Sequence, residues 1–185
     1  MPRIKPIVAV LSALLAFATG LAALPGLGLS AEVPFGDKVG ASVVNYDRAT
    51  PFIATAGLLQ EGAVAELKAL GFIAVLDLRG PEEGTVVEQA AVEAAGLKYF
   101  NIPVTDRAPT DEQVRQFAVL AEDPANYPLM VHCVSANRSG AMWTLYRVSR
   151  GVPFEIAIEE GRTAGLKPSR EQAVRVRLGQ PPLSE

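Results

Sequence analysis

Short apolar runs alternate along the chain with amphipathic segments, and this alternation is the feature that most limits the possible folds. The run FIAVLDL at 72–78 is apolar and contains β-branched residues, a pattern typical of a strand buried on both faces of a parallel sheet. Similar runs predict strands at 43–46, 52–55, 97–104 and 128–132. Helical spacing predicts helices at 60–70, 85–95, 110–122, 140–150, 154–164 and 169–178. We therefore expect an α/β fold of three layers, with a mostly parallel central sheet flanked by helices.

A charged start and an apolar stretch precede this pattern. Arg3 and Lys5 are followed by uncharged residues from Pro6 to Ala31, which include an apolar stretch at 7–24. Such a segment, ending in a small residue, predicts a signal peptide at 1–31 and one domain at 32–185. The alternative is that residues 7–24 remain as a membrane anchor. We expect export in either case, to the periplasm in a Gram-negative cell, and membrane association only if the segment is uncleaved.

Composition excludes several classes of function. With 17 basic and 20 acidic residues, the net charge is -3, so no basic surface for nucleic acid is expected. One Cys and one His cannot form an intramolecular disulfide or a Cys/His zinc site, and the acidic residues lack calcium-loop spacing. Neither a Walker-type loop nor a GxGxxG after a strand occurs. We therefore expect no metal and no cofactor.

The single His and the single Cys are adjacent, as His132 and Cys133, where the strand predicted at 128–132 ends. They open the segment VHCVSANRSG, which leads into a helix. Ligands of α/β sheets bind at the carboxyl ends of strands, where helix N-termini attract anions. The same field favours a thiolate, so Cys133 is predicted to be nucleophilic, and Arg138 can hold two phosphate oxygens at once. The alternative is a buried structural cysteine.

The segment HCVSANRS resembles the phosphate-binding signature of the cysteine-dependent tyrosine and dual-specificity phosphatases. FIAVLDLRG resembles the strand and Arg turn of that superfamily, and FNIPVTDRAP resembles its acid-bearing loop. The resemblance covers about residues 43–165 and is nearest to a bacterial branch that includes the domain fused to β-lactamase-like hydrolases. It implies that residues 32–185 form a phosphatase-like catalytic domain, with the active loop between a central strand and a helix.

The loop departs from the usual pattern of this superfamily. Four residues separate Cys133 from Arg138, where most members have five, and no glycine lies among them. The bacterial branch shares this shorter loop, but so do many rhodaneses, which carry a persulfide. Without glycine, we expect Asn137 or Ser135 to adopt any unusual backbone angles.

The resemblance assigns a role to each part of the site. Cys133 is the nucleophile, Arg138 stabilises the phosphoryl oxygens, and Ser139 helps the sulfur to leave. His132 braces the loop through hydrogen bonds to backbone. The residues expected to bind phosphate are Val134, Ser135, Ala136, Asn137, Arg138 and Ser139.

Two further residues have alternatives. Asp106 is the candidate general acid, and the alternative is a solvated loop residue beside Arg107. Arg79 is expected to support the loop or to contact the anion, and the alternative is a surface ion pair with Glu82 or Glu83.

Three functions remain open at this point. The first is a phosphatase that hydrolyses a phosphomonoester, either phosphotyrosine or a small phosphorylated molecule, through a cysteinyl-phosphate. The second is a rhodanese-like sulfurtransferase that carries a persulfide on Cys133, for which no general acid is required. The third is a non-catalytic anion-binding module. The partner expected for the first is a phosphorylated protein or small molecule.

Overall fold

The computed structural model describes residues 39–183. Its five strands are β1 (Asp47–Thr50), β2 (Ile53–Ala56), β3 (Ala74–Asp77), β4 (Lys98–Asn101) and β5 (Leu129–His132). Its six α-helices are α1 (Ala63–Ala69), α2 (Thr85–Ala94), α3 (Asp111–Ala121), α4 (Asn137–Ser149), α5 (Phe154–Thr163) and α6 (Pro168–Arg177). Two short 3-10 helices lie at Pro81–Glu83 and Pro124–Asn126.

The strands form one sheet in the order β1-β2-β5-β3-β4. Strand β1 pairs antiparallel with β2, and the other neighbours are parallel. Because β5 lies between β2 and β3, the segment that follows β5 leaves from the middle of the sheet. Open parallel sheets bind their ligands at such central carboxyl ends. The α/β fold with a mostly parallel sheet is therefore confirmed.

The two faces of the sheet are covered by different helices. Side chains alternate between the faces along each strand, so Leu76 and Val131 contact one core while Val75 and Met130 contact the other. The first core includes buried residues of α3, α4, α5 and α6, and the second includes those of α1 and α2. This gives the three layers that the sequence predicts, and it sets the side to which each residue near the site points.

The predicted elements occur within three residues of their expected ends, except for the first strand. The first strand is not at 43–46: Asn45 adopts φ 51, and the strand begins at Asp47 to form a hairpin with β2. Helix α4 begins at Asn137 rather than at residue 140. Arg138 and Ser139 therefore belong to the first turn of a helix and not to the loop before it.

The signal peptide predicted at 1–31 and the alternative anchor at 7–24 lie outside the described residues. Between residues 39 and 183, no helix has the length and hydropathy needed to cross a membrane.

Candidate active site

The segment after β5 is fixed to the neighbouring strand β2. The Cys133 N–H donates to the Ala56 carbonyl (3.3 Å), and the Leu58 N–H donates to the Val134 carbonyl (3.0 Å). Gly57 and Ser135 form an isolated antiparallel bridge. Main-chain contacts of this kind do not depend on loop side chains, so the loop is held by the sheet itself.

Ala136 adopts the left-handed backbone conformation of the loop, with φ 63. The prediction that Asn137 or Ser135 would do so is therefore wrong. Asn137 is the first residue of α4, so the left-handed conformation falls on the residue before the helix, Ala136. Ala136 is fully buried against Gly165, and a Cβ built on Gly165 would lie 2.4 Å from the Ala136 Cβ. A small side chain is needed at position 136, although a non-glycine residue at positive φ is uncommon.

Asn137 has a different role, which is to join the loop to α6. Its Oδ1 accepts from the Lys167 N–H (2.8 Å), and its Nδ2 donates to the Ser169 hydroxyl (3.1 Å). Both groups of the amide are thus used across the gap between α4 and α6. The start of α6 is fixed beside the active loop by this one side chain.

Cys133 is buried, with 1% of its surface exposed, yet it lines a cavity of about 280 Å³. Ser139 Oγ lies 3.7 Å from Cys133 Sγ and 3.2 Å from the Ala56 carbonyl oxygen. A hydroxyl has one proton, so Ser139 donates either to the carbonyl or to the sulfur. Helix α4 begins at Asn137, and Asn137 and Arg138 line the same cavity. Helix geometry provides no carbonyl for the N–H groups of this first turn.

Arg138 lines the same cavity and is held by Glu83. Its Nη1 and Nη2 donate to the two carboxylate oxygens of Glu83, each at 2.7 Å, and Nη1 also contacts the Leu78 carbonyl (3.3 Å). The Nε–H and the second Nη2–H form no hydrogen bond within residues 39–183. These two donors lie on one edge of the guanidinium, the geometry that binds two oxygens of a phosphoryl group.

Glu83 is a site residue that the sequence analysis missed. It ends the 3-10 helix Pro81–Glu83, and its Oε2 also accepts from the Gly80 N–H (2.7 Å). The hydrogen bonds from Arg138 hold the pKa of Glu83 below its ordinary value. This carboxylate is therefore charged at neutral pH, and it orients Arg138 rather than supplying a proton.

His132 points to the opposite side of β5 from Cys133, towards α2, because side chains alternate along a strand. Its Nε2 lies 2.7 Å from Glu88 Oε1 and 3.6 Å from Asp77 Oδ1, without the geometry of a hydrogen bond. The expected hydrogen bonds from His132 to loop backbone are absent, since both ring nitrogens have no such partner among the described residues. His132 instead lies beneath the loop, in a buried ionic cluster.

Arg79 belongs to this cluster. It is 4% exposed, and its Nη2 lies 2.8 Å from Asp77 and 2.7 Å from Glu88, so the predicted surface ion pair with Glu82 or Glu83 is wrong. Its Nη1 donates to the Glu83 carbonyl (3.2 Å), which connects the cluster to the residue that holds Arg138.

The cluster also contains the donor types of a metal site. One ligand atom each of Asp77, Glu88 and His132 lie within 4.8 Å of one another. The guanidinium of Arg79 already contacts both carboxylates. A divalent cation at this place would be repelled by that guanidinium, so the donor set does not suit a metal.

Asp106 is exposed, and its carboxylate is not among the groups that line the cavity. Its carbonyl, together with that of Arg107, accepts hydrogen bonds from Nη1 of Arg170. Arg170 does line the cavity and is the second residue that the sequence analysis missed. The candidate acid loop is therefore joined to the cavity through Arg170. The residues that line the cavity are Glu83, Cys133, Val134, Ser135, Asn137, Arg138 and Arg170.

Comparison with known proteins places this site in a family. Residues 42–176 match the model of the PTP-NADK family, described as a DSP-PTPase phosphatase fused to NAD+ kinase. No curated protein gives a significant match.

Several solved structures share the fold. A DUF442 protein from Shewanella putrefaciens CN-32 is 23% identical, with a TM-score of 0.59 over 73% of this chain and 93% of its own. The catalytic domain of the PP-IP phosphatase SIW14 from S. cerevisiae is 16% identical, with a TM-score of 0.61 over 74% and 87%. TpbA from P. aeruginosa is 23% identical, with a TM-score of 0.57 over 75% and 88%.

The family match covers more than half of the chain and includes both Cys133 and Arg138. It also decides between the interpretations that loop length left open, because the family is one of phosphatases and not of sulfurtransferases. The chain belongs to this DSP-PTPase family and is a cysteine-based phosphatase.

Proposed function

We propose that the protein hydrolyses phosphomonoesters through a cysteinyl-phosphate on Cys133. The observation that supports this most directly is that Cys133 and Arg138 line one cavity, and that one edge of the Arg138 guanidinium has no partner among the described residues. A nucleophile below and a planar two-donor edge beside it are what a phosphoryl group needs in order to be held in line with the sulfur. Phosphotyrosine and small phosphorylated molecules are the proposed substrates.

The first step transfers the phosphoryl group to the enzyme. The Cys133 thiolate attacks phosphorus and forms the P–S bond, while the bond from phosphorus to the leaving oxygen breaks. Arg138 and the N–H groups of the first turn of α4 bind the equatorial oxygens, whose charge they match. In the second step water attacks phosphorus, the P–S bond breaks, and the Ser139 hydroxyl donates to the departing sulfur.

The leaving oxygen needs a proton in the first step, and we assign this role to Asp106. Glu83 is unsuited to it because Arg138 lowers the pKa of that carboxyl. Asp106 lies on a loop whose backbone is hydrogen-bonded to Arg170, a residue of the cavity wall. In the second step Asp106 takes the proton of the attacking water, so it returns to its starting state.

The test compares two aryl phosphates with different leaving groups. Cys133→Ser is expected to abolish the hydrolysis of both phenyl phosphate and p-nitrophenyl phosphate. Asp106→Asn is expected to slow phenyl phosphate by about a hundredfold or more, the usual range for general acid catalysis. Its effect on p-nitrophenyl phosphate should be much smaller, because nitrophenolate leaves without a proton.

The matched control is Asp111→Asn, at the start of α3, whose carboxylate is paired with Arg177 (2.7 Å). It is expected to retain full activity on both esters. Equal losses of kcat/KM on the two esters in Asp106→Asn would remove Asp106 as the general acid of the first step. Activity retained by Cys133→Ser would remove the covalent intermediate, and thiocyanate formation from thiosulfate and cyanide would support sulfur transfer instead.

Export remains part of the proposal. It is supported by the charge and hydropathy of residues 1–31, which suit a signal peptide or an anchor at 7–24. A periplasmic location in a Gram-negative cell would limit the substrates to phosphorylated molecules present there.

A further inference from the structure

Arg170 has an unusual position for a residue outside the signature loop. It lies near the start of α6, is half-buried, and lines the same cavity as Cys133 and Arg138. Asn137, within the active loop, fixes the start of α6 through Lys167 and Ser169. These hydrogen bonds join the start of α6 to the active loop, so they fix the position of Arg170 relative to Cys133.

The hydrogen bonds of Arg170 leave one edge of its guanidinium unused. Nη1 donates to the carbonyls of Asp106 and Arg107, which accounts for both of its protons. Nε and Nη2 form no hydrogen bond within the described part of the chain. Arg170 thus presents the same edge that Arg138 presents, one that fits two oxygens of a phosphate or carboxylate group.

Among the described residues, no carboxylate is paired with Arg170, and its counter-charge in the cavity is the Cys133 thiolate. Glu83 also lines the cavity, but both of its oxygens are bound by Arg138. Burial, and after it the neighbouring Arg138, lower the pKa of Arg170. A half-buried cation that faces a second cation is stabilised when an anion binds between or beside them.

We propose that Arg170 binds a second anionic group of the substrate, carried by the leaving group. This inference rests on the proposed function and narrows its substrate class to phosphomonoesters with a second phosphate or a carboxylate nearby. Arg170 is placed on the leaving-group side because its hydrogen bonds go to the loop that carries Asp106. Arg107 of the same loop is exposed, and its carbonyl accepts a hydrogen bond from Arg170, so a further cation belongs to this side of the site.

The test uses three aryl phosphates, each of which has a phenolic oxygen as its leaving atom. Phenyl phosphate has no second anion, 3-carboxyphenyl phosphate has a carboxylate, and 1,3-phenylene bis(phosphate) has a second phosphate. We expect kcat/KM to exceed that for phenyl phosphate by about tenfold for at least one of the two charged esters, the gain typical of a charge-assisted contact. Comparison of the two charged esters shows whether phosphate or carboxylate is preferred. For this comparison, kcat/KM of the bis(phosphate) is halved because the molecule has two phosphate groups that can be cleaved.

The variant Arg170→Gln keeps an amide that can donate to the two carbonyls but removes the charge. For this variant we divide kcat/KM for the charged ester by kcat/KM for phenyl phosphate, and this ratio is expected to fall to about one. The control Arg115→Gln removes an exposed arginine of α3 that is paired with Glu112, and its ratio should equal that of the wild type. No preference in the wild type, or an unchanged ratio in Arg170→Gln, would overturn the proposal.

Binding is measured separately from turnover. Calorimetry with Cys133→Ser, alone and combined with Arg170→Gln, gives the affinity for the same three esters without hydrolysis. Tighter binding of a charged ester that is lost in the double variant supports the role of Arg170, even if the wild type hydrolyses none of them. In that case the proposed reaction fails while the anion site stands. Hydrolysis of phenyl phosphate with no preference in either measurement rejects the anion site alone.

Discussion

Gly165→Ala tests the contact that shapes the active loop. Gly165 has φ 104 and packs against Ala136, the loop residue with φ 63. An added Cβ would lie 2.4 Å from the Ala136 Cβ and 3.1 Å from its carbonyl carbon and oxygen. Ala136 is buried and Gly165 is half-buried. The atoms that the added Cβ would meet are a methyl group and backbone atoms, not a flexible side chain, so the backbone of one of the two residues must move.

The expected loss of stability has two parts. A left-handed conformation costs an alanine about 1–2 kcal/mol, and overpacking at a buried contact costs about 1–3 kcal/mol. Gly151→Ala is the matched control, because Gly151 has φ 83 but nothing within 4 Å of an added Cβ. It experiences only the first cost, so Gly165→Ala should be less stable than Gly151→Ala by about 1–3 kcal/mol.

Urea unfolding of both variants measures this difference, with equal m-values as the condition for comparing midpoints. The second measurement is kcat/KM for the hydrolysis of p-nitrophenyl phosphate. Gly165→Ala should lower kcat/KM, because a displaced Ala136 moves Cys133 relative to Arg138, while Gly151→Ala should retain wild-type activity. Equal destabilisation by the two substitutions, or full activity in Gly165→Ala, would refute the role given to this contact.

Two further predictions concern carboxylates bound by arginine. Glu83→Gln should lower kcat/KM by about tenfold because Arg138 loses its bidentate partner. The control is Glu82→Gln, at the exposed neighbouring residue, which should leave kcat/KM unchanged. A higher kcat/KM in Glu83→Gln would mean that Glu83 competes with the substrate for Arg138. Glu171 is buried and bound by Arg162 and Arg175, and the hydrogen bond from Arg162 holds its pKa below the ordinary 4.5. A lowered folded-state pKa gives stability that is present above pH 4.5 and lost as the pH falls through the folded-state value, so the urea midpoints of wild type and Glu171→Gln should converge on acidification. A gap that does not depend on pH would contradict this assignment.

The sequence predicted those parts of the fold that depend on local pattern. Buried strands such as β3 and β5 are continuous apolar runs. Helix α3 begins with a capping box, in which the backbone N–H of Thr110 and that of Gln113 each donate to the other residue's side chain. The position of Cys133, directly after a central strand and before a helix, followed from the same local signals. Such features need only neighbouring residues to specify them, and for that reason the structure has them where the sequence predicts them.

The remaining parts depend on contacts between distant residues. Asn137 is the better candidate for the left-handed conformation by propensity, but it already belongs to α4, so Ala136 adopts that conformation, packed against Gly165. Glu83 reaches Arg138 across 55 positions, and Arg170 enters the cavity only because α6 returns to the loop. No local pattern identifies which carboxylate or which arginine makes these approaches.

The buried cluster is an intermediate case, because a signal existed. Asp77 ends the strand AVLD and His132 ends LMVH, and the two residues are register partners on adjacent parallel strands. Strand alternation places each on the same face as Val75 or Met130, which are core residues of the α1 and α2 side. A buried Asp beside a buried His requires a charge partner, and Arg79 is two residues away. Alternation could therefore have identified the network, although not its contact with Glu88.

The charges around the cavity explain why both arginines are needed. Glu83 fixes the geometry of Arg138 but also cancels its charge, so this pair alone offers no net attraction to an anion. A thiolate at Cys133 would then leave the cavity negative and would repel a phosphate before it reached the sulfur. Arg170 restores the balance, because its carbonyl partners hold it in place without neutralising it. The site thus separates two tasks: a carboxylate-bound arginine sets geometry, and a carbonyl-bound arginine supplies the charge that admits an anionic substrate.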